Sequence, residues 1–140
     1  SVCPTLWTEE FLKKLSLLLR TNGRILTFSR AAAIRKSLKS AGLRIYSLTV
    51  DDQDIDNWSN GTVAIEGSTS TKEENGSIRW KELSEMEKEH LKTKASIPYR
   101  DPFGNRNIKE IISARKIEQS LSNLESTTTW RNRWKRAKPS

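Results

Sequence analysis

Residues 23–42, GRILTFSRAAAIRKSLKSAG, decide how this chain folds. Gly23 opens a turn, and Ile25, Leu26 and Phe28 make a short β-prone run. Ser29 and Arg30 follow, and Ala31, Ala32 and Ala33 then start a helix that Gly42 stops. A strand feeding a helix across so short a loop is the unit from which α/β proteins with parallel sheets are built. The nearly continuous apolar content of residues 24–28 predicts a strand buried in such a sheet. Ligands of open α/β sheets sit at the carboxyl ends of strands, which here means Phe28, Ser29 and Arg30. In the helix, Ser29 is the expected N-cap and Ile34, Leu38 and Ala41 the expected buried stripe. Arg35, Lys36 and Lys39 are expected on the solvent side.

Upstream, residues 4–20 predict a helix. Thr8 is its N-cap, Glu9 and Glu10 sit in the first turn where the helix dipole favours anions, and Asn22 and Gly23 stop it. Phe11, Leu12, Leu15, Leu18 and Leu19 follow the spacing of one buried face. Downstream, residues 43–50 alternate Leu43, Ile45 and Leu48 with polar groups and predict a strand. An acidic loop at 51–61 leads to a short strand at 62–66 that can return beside the previous one as a hairpin. Residues 67–77, GSTSTKEENGS, have linker composition. Ser84 opens a helix over 83–94 and Glu87 completes a capping box. The two prolines and glycine of PYRDPFGN, residues 98–105, exclude a continuous helix. Residues 108–121 predict another helix, with Ile108, Ile111, Ile112, Ile117 and Leu121 as its apolar pattern.

Composition narrows the chemistry. The chain has 140 residues, the size of one domain or a piece of one, and only 34% of them are hydrophobic. No apolar run is long enough for a membrane span, so no membrane partner is expected. The single cysteine, Cys3, excludes an internal disulfide and a multi-thiolate metal site, and fits a reducing cytoplasm. No metal site is expected. The single histidine, His90, lies in the charged run EMEKEH and reads as a solvated helix-face residue. Charge is uneven: residues 1–50 carry nine Lys/Arg against two Glu (+7), residues 51–97 six against eleven (−5), and residues 98–140 ten against four (+6). Two basic ends around an acidic middle suit a polyanion partner, and equally a merely solvated surface.

No G-x-G-x-x-G turn, P-loop, H-E-x-x-H or G-x-S-x-G is present, so neither a cofactor cradle nor a catalytic residue can be assigned. Asp51, Asp52, Asp54 and Asp56 read as a solvated loop. The basic tail, WRNRWKR at 130–136, is the clearest sign of a partner. Its aromatic planes can stack on bases while Arg131, Arg133, Lys135 and Arg136 meet phosphates. The other reading makes Trp130 and Trp134 anchors that pack the tail on the body. Tyr99, Arg100 and Asp101 form a rigid polar loop, open to a role in substrate contact or as a structural corner.

Several segments together resemble a known family. They are CPTLWTEEF at 3–11, LTFS at 26–29, AAIR at 32–35 and AGL at 41–43, with GTVA at 61–64, IPYRDP at 97–102 and WRNRW at 130–134. These are similar to the C-terminal half of the MnmC-like methyltransferase domain, in a cyanobacteria-like branch. The resemblance implies an α/β fold: the C-terminal part of a Rossmann-like methyltransferase sheet, its last strand antiparallel, with a mostly helical C-terminal extension. It implies an organisation of 1–67 as that domain part, 68–82 as a linker and 83–140 as a basic helical extension. It implies a cytoplasmic enzyme that uses S-adenosylmethionine to methylate the aminomethyl group of wobble uridine in tRNA. The family's glycine-rich cofactor loop and Asp motif would stand upstream of Ser1, so that this chain alone is inactive and its catalytic residue is not among these residues. The flavin oxidase domain fused in some relatives has no counterpart here. Phe28, Ser29, Arg30 and Trp7 would lie near the substrate, and Arg100, Arg131, Arg133, Lys135 and Arg136 would contact RNA. The alternative is a non-catalytic basic RNA-binding module.

Overall fold

The computed structural model describes residues 3–49, 60–67 and 79–137. The acidic stretch from Asp51 to Asp56 and most of the expected linker lie outside them. The described chain enters through a 3-10 turn, Pro4–Trp7, into helix α1, Glu9–Ser16. The Thr8 hydroxyl caps α1 by accepting from the Phe11 N–H at 3.2 Å. The helix stops short of the expected residue 20. Its last turn tightens, with the Leu18 and Leu19 N–H groups bonding three residues back, and Leu17 and Leu18 face solvent. The reason is the turn at residues 20–23: Asn22, with φ of 64°, aims its N–H at the Glu66 carbonyl, and the Glu66 N–H returns to the Gly23 carbonyl. The face that α1 buries is therefore Leu12 and Ser16, with Leu15 and Leu19 partly covered, while Phe11 is largely exposed.

Strand β1 (Arg24–Thr27), helix α2 (Ala32–Ser40) and strand β2 (Arg44–Thr49) form the expected crossover, with Gly42 at φ 91° ending α2. Strand β3 (Gly61–Ile65) then inserts between β1 and β2, antiparallel to both, and β4 (Arg79–Lys81) pairs antiparallel with β2. The hairpin return and the antiparallel last strand are as expected. The burial of β1 is not. Residues of β1 alternate between exposed and half-buried, whereas all five residues of β3 are buried. Position explains the difference: β3 has a strand on each side, while β1 has one neighbour among the described residues. β4 also brings part of the 68–82 stretch into the sheet.

Alternation along β3 sorts the core into two layers. Ala64 joins Leu12, Ile34, Leu38 and Leu43 on the side of α1 and α2. Val63 and Ile65 join Tyr46 and Leu48 on the opposite side, with Trp80 of β4 packed over them. A third cluster, Ala32, Leu83 and Leu91, fastens α2 to the chain beyond the sheet.

That remainder comprises α3 (Glu85–His90), a 3-10 turn at Lys94–Ser96, α4 (Ile108–Leu121) and α5 (Thr127–Ala137). The predicted capping box of α3 is present, and Asn107 and Glu110 form a second one on α4. The apolar pattern expected for α4 fails. Ile111 is buried, but Ile108, Ile117 and Leu121 are exposed. The inner face of α4 is instead a ladder of Ile111, Arg115 and Gln119. Arg115 donates to the Ile97 and Ala95 carbonyls at 2.7 and 3.0 Å and stacks over the Tyr99 ring, and Gln119 donates to the Lys94 carbonyl at 3.0 Å. An irregular backbone stretch needs donors for its carbonyls, and this helix supplies them.

His90 is the other correction: it is buried rather than solvated, stacked on Trp130 of α5 with ring centroids 4.5 Å apart. Burial lowers its imidazole from 6.5 to about 4, with Arg35 and Arg131 adding to the fall and Glu87 opposing it.

Two outcomes are expected from this packing. A Cβ added at Gly61 would press into the Thr27 carbonyl oxygen and the Phe28 Cα. Gly61→Ala is therefore expected to cost about 1–3 kcal/mol, read as a lower urea midpoint at unchanged m-value. For His90, the unfolded chain takes up a proton near pH 6.5 that the folded chain refuses until about pH 4. Stability from the neutral ring is complete above pH 6.5 and is lost as the pH falls toward about 4, on the order of 3 kcal/mol. His90→Phe, which keeps the stack on Trp130, should flatten that slope in urea unfolding measured at several pH values.

Candidate functional site at the end of strand β1

Phe28, Ser29 and Arg30 leave the carboxyl end of β1 and enter α2, the position expected of a site in an α/β sheet. Phe28 is 78% exposed, Arg30 is exposed and Ser29 is half-buried. Short bonds knit the loop to itself. The Thr27 hydroxyl oxygen accepts from the Ser29 N–H at 3.1 Å, and the Ser29 hydroxyl oxygen accepts from the Ala31 N–H at 3.3 Å. Ser29 does not cap α2 as expected; Ala31 holds the N-cap position and makes no side-chain cap. From outside the loop, the Thr62 hydroxyl of β3 donates to the Ser29 carbonyl at 2.7 Å.

Behind that contact lies the residue that sequence reasoning misplaced. Arg35 was expected on the solvent side of α2 and is fully buried, 0% exposed. Its Nε donates to the Thr62 hydroxyl at 2.8 Å, its Nη2 to the Gly61 carbonyl at 2.9 Å, and its Nη1 to Glu87 Oε1 at 3.0 Å. Glu87 is 1% exposed and also closes the capping box of α3, accepting from the Ser84 N–H at 3.0 Å and the Ser84 hydroxyl at 3.2 Å. Burial draws the Arg35 guanidinium below its ordinary value, and Glu87 opposes that by charge and hydrogen bond. A signal was available: Arg35 stands three residues from both Ala32 and Leu38, each buried, so it lies between two inward-facing positions.

The other predicted residues lie elsewhere. Trp7 is half-buried and packs against the cluster of Leu12, Ile34 and Leu38. Arg100 pairs with Glu10 and, at 3.4 Å, with Glu9, and the Glu10 carboxylate also accepts from the Asp101 N–H at 2.9 Å. Burial works to raise the Glu10 carboxyl, but the Asp101 N–H and the Arg100 guanidinium outweigh it and hold the group below its usual value. Asp101 receives the Asn105 and Arg106 N–H groups, both at 3.1 Å. The 98–105 segment is thus built as a corner docked on the start of α1, with Glu9 and Glu10 holding Arg100.

On α5, Arg133 bridges Glu89 and Glu125, and the Trp134 indole N–H donates to Glu89 at 2.8 Å. With Trp130 buried, both tryptophans anchor the tail to the body. Arg131, Lys135 and Arg136 remain exposed.

The loop after β1 does not form a glycine-rich cradle for S-adenosylmethionine. The loop after β1 carries side chains at every position, and its Ser29 N–H and carbonyl are already bonded within the protein. Among the described residues, no group of three or more His, Cys, Asp or Glu could hold a metal ion, and no helix is long and apolar enough to cross a membrane. A cleft of about 660 Å³ between α2, β2 and α3 is lined by groups of both signs, among them Lys36, Lys39, Arg44, Glu82 and Lys88. None of Phe28, Ser29 or Arg30 lines it.

Residues 1–50 match a family described as S-adenosyl-L-methionine-dependent methyltransferase. No curated protein matches the sequence at a significant level. Among solved structures, the crystal structure of MnmC2 from Aquifex aeolicus is similar over 85% of this chain, with a TM-score of 0.65 and 22% identity. The match covers 35% of that protein, so the chain spans about a third of its length. Arg35 falls inside the family-matched segment and Glu87 outside it. Residues 1–50 are thus similar to an S-adenosyl-L-methionine-dependent methyltransferase family, and the chain shares its fold with part of MnmC2.

Proposed function

We propose that this chain is the carboxyl-terminal part of a cytoplasmic S-adenosylmethionine-dependent methyltransferase acting on the aminomethyl group of wobble uridine in tRNA. The observation that supports this best is the crossover of β1, α2 and β2, with antiparallel β3 between its strands, on a segment that matches a methyltransferase family. In this reading, residues 1–67 are part of the methyltransferase domain, residues 68–82 connect it, and residues 83–140 are a basic extension. The cofactor loop and the catalytic Asp motif come from sequence outside these residues, and the chain alone transfers no methyl group.

The part that these residues play is orientation. Phe28 offers a flat exposed face on which a base can stack. The Ser29 hydroxyl, whose oxygen accepts from Ala31, keeps its own hydrogen to donate outward. Arg30 adds a cation at the same strand end, while Trp7, which packs on the core cluster of Leu12, Ile34 and Leu38, is assigned to the substrate side by the family resemblance alone. Holding an amine in line for transfer accounts for a large part of such a rate, and small displacements lower it steeply. Arg100, Arg131, Arg133, Lys135 and Arg136 are the RNA-contacting cations of this reading. The exposed Arg131, Lys135 and Arg136 carry most of that contact, because Arg100 and Arg133 are engaged in ion pairs.

The same exposed cations support a second reading, in which the chain is a non-catalytic RNA-binding module. Calorimetric titration with S-adenosylmethionine separates the two. Binding by a polypeptide extended upstream, and not by this chain, supports the methyltransferase reading; binding by neither favours the module. In the complete methyltransferase, Ser29→Ala and Arg30→Ala should each lower the methyl-transfer rate about tenfold or more. Unchanged single-turnover rates in both variants would sink the assignment of the β1 end as the substrate side.

A further inference from the structure

We infer that the segment beyond the sheet sets the geometry of the loop at residues 28–30, through one buried line of polar contacts that runs from Glu87 to Arg35 to Thr62 to the Ser29 carbonyl. The inference rests on the methyltransferase reading, in which that loop faces the substrate. It makes Thr62, Arg35 and Glu87 positioning residues.

Each link leaves the next little freedom. Glu87 is fixed at α3 by the Ser84 N–H and hydroxyl, at 3.0 and 3.2 Å, and directs Oε1 at Arg35. A guanidinium is planar, so the bonds from Nη1 to Glu87, from Nη2 to the Gly61 carbonyl and from Nε to Thr62 hold one orientation of the whole group. A threonine hydroxyl has a single hydrogen. With Arg35 Nε donating to the Thr62 oxygen at 2.8 Å, that hydrogen is turned toward the acceptor on the other side, the Ser29 carbonyl at 2.7 Å. Arg35, Thr62 and Glu87 are 0%, 0% and 1% exposed, so these links are shielded from bulk water.

The energetics point the same way. A buried ion pair is a weak source of stability compared with apolar packing of similar volume, and positional specificity is its best-attested use. Apolar groups at 35 and 87 could fill the same space, but they could not orient the Thr62 hydroxyl. The line also crosses from the family-matched residues 1–50 to α3, so the loop depends on sequence well outside that segment.

Amide hydrogen exchange and methyl-transfer kinetics together test this. In the 140-residue chain, Glu87→Gln keeps the shape of the capping box and removes the charge that holds Arg35. Thr62→Val keeps the β-branch and removes the hydroxyl, and it carries the test if Glu87→Gln does not fold. Both should raise exchange at the amides of residues 29–31 about tenfold or more while leaving α4 unchanged, and Thr62→Ser should restore the parent pattern. In the complete methyltransferase, Thr62→Val should lower kcat about tenfold or more with little change in KM, again restored by Thr62→Ser. Unchanged exchange at 29–31, or a uniform rise across the sheet with no rescue by serine, overturns the positioning role even if the parent enzyme is active. A parent that transfers no methyl group, together with loosening confined to 29–31, overturns the methyltransferase reading and upholds the positioning.

Discussion

The ion pair of Arg35 and Glu87 is the constraint on which the rest of the structure depends. A guanidinium at 0% exposure and a carboxylate at 1% would each be untenable alone, since removing either partner strands a charge in a dry interior. Their mutual need joins α2, the opening of β3 and α3 into one unit. Further bonds tie the pair to the same unit: Nη2 donates to the Gly61 carbonyl, Nε to the Thr62 hydroxyl, and the second carboxylate oxygen accepts from Ser84. Nothing apolar could impose the same directions on three elements at once.

β3 is the second constraint. Its residues separate the two layers of the core, and its start must pass close to the end of β1. Gly61 makes this approach possible because a side chain there would meet the Thr27 carbonyl. The same closeness brings Thr62 within hydrogen-bonding distance of Ser29, so the element that completes the sheet also fastens the candidate loop. Fold and site are in this sense the same set of contacts.

Charge shows the limit of counting residues along a chain. The basic ends suggested a polyanion partner, but Arg100 is held by Glu9 and Glu10, and Arg133 by Glu89 and Glu125. Arg115 spans two carbonyls and the face of Tyr99. Exposed pairs of this kind contribute little to stability, yet they decide which cations still face outward, and on α5 those are Arg131, Lys135 and Arg136.

Sequence alone determined the local structure. The strand–loop–helix of residues 23–42, the Thr8 cap, the capping box of Ser84 and Glu87 and the stop at Gly42 all arise from short-range backbone chemistry, which a few neighbouring residues settle. It also located the candidate loop, which lies in contiguous residues, and carried the resemblance to a methyltransferase family in short segments spread along the chain. The tertiary structure decided what local pattern cannot encode. Which strand is central depends on who pairs with whom, so β3 and not β1 became the buried one. Whether a charged or polar side chain faces inward depends on a partner many residues away: Glu87 turned Arg35 into the core, Trp130 covered His90, and carbonyls at 94–97 in need of donors drew Arg115 and Gln119 to the inner face of α4. Periodicity ranks positions by hydrophobicity, but burial of a polar group is set by whether its hydrogen bonds can be completed, and only the assembled fold supplies that answer.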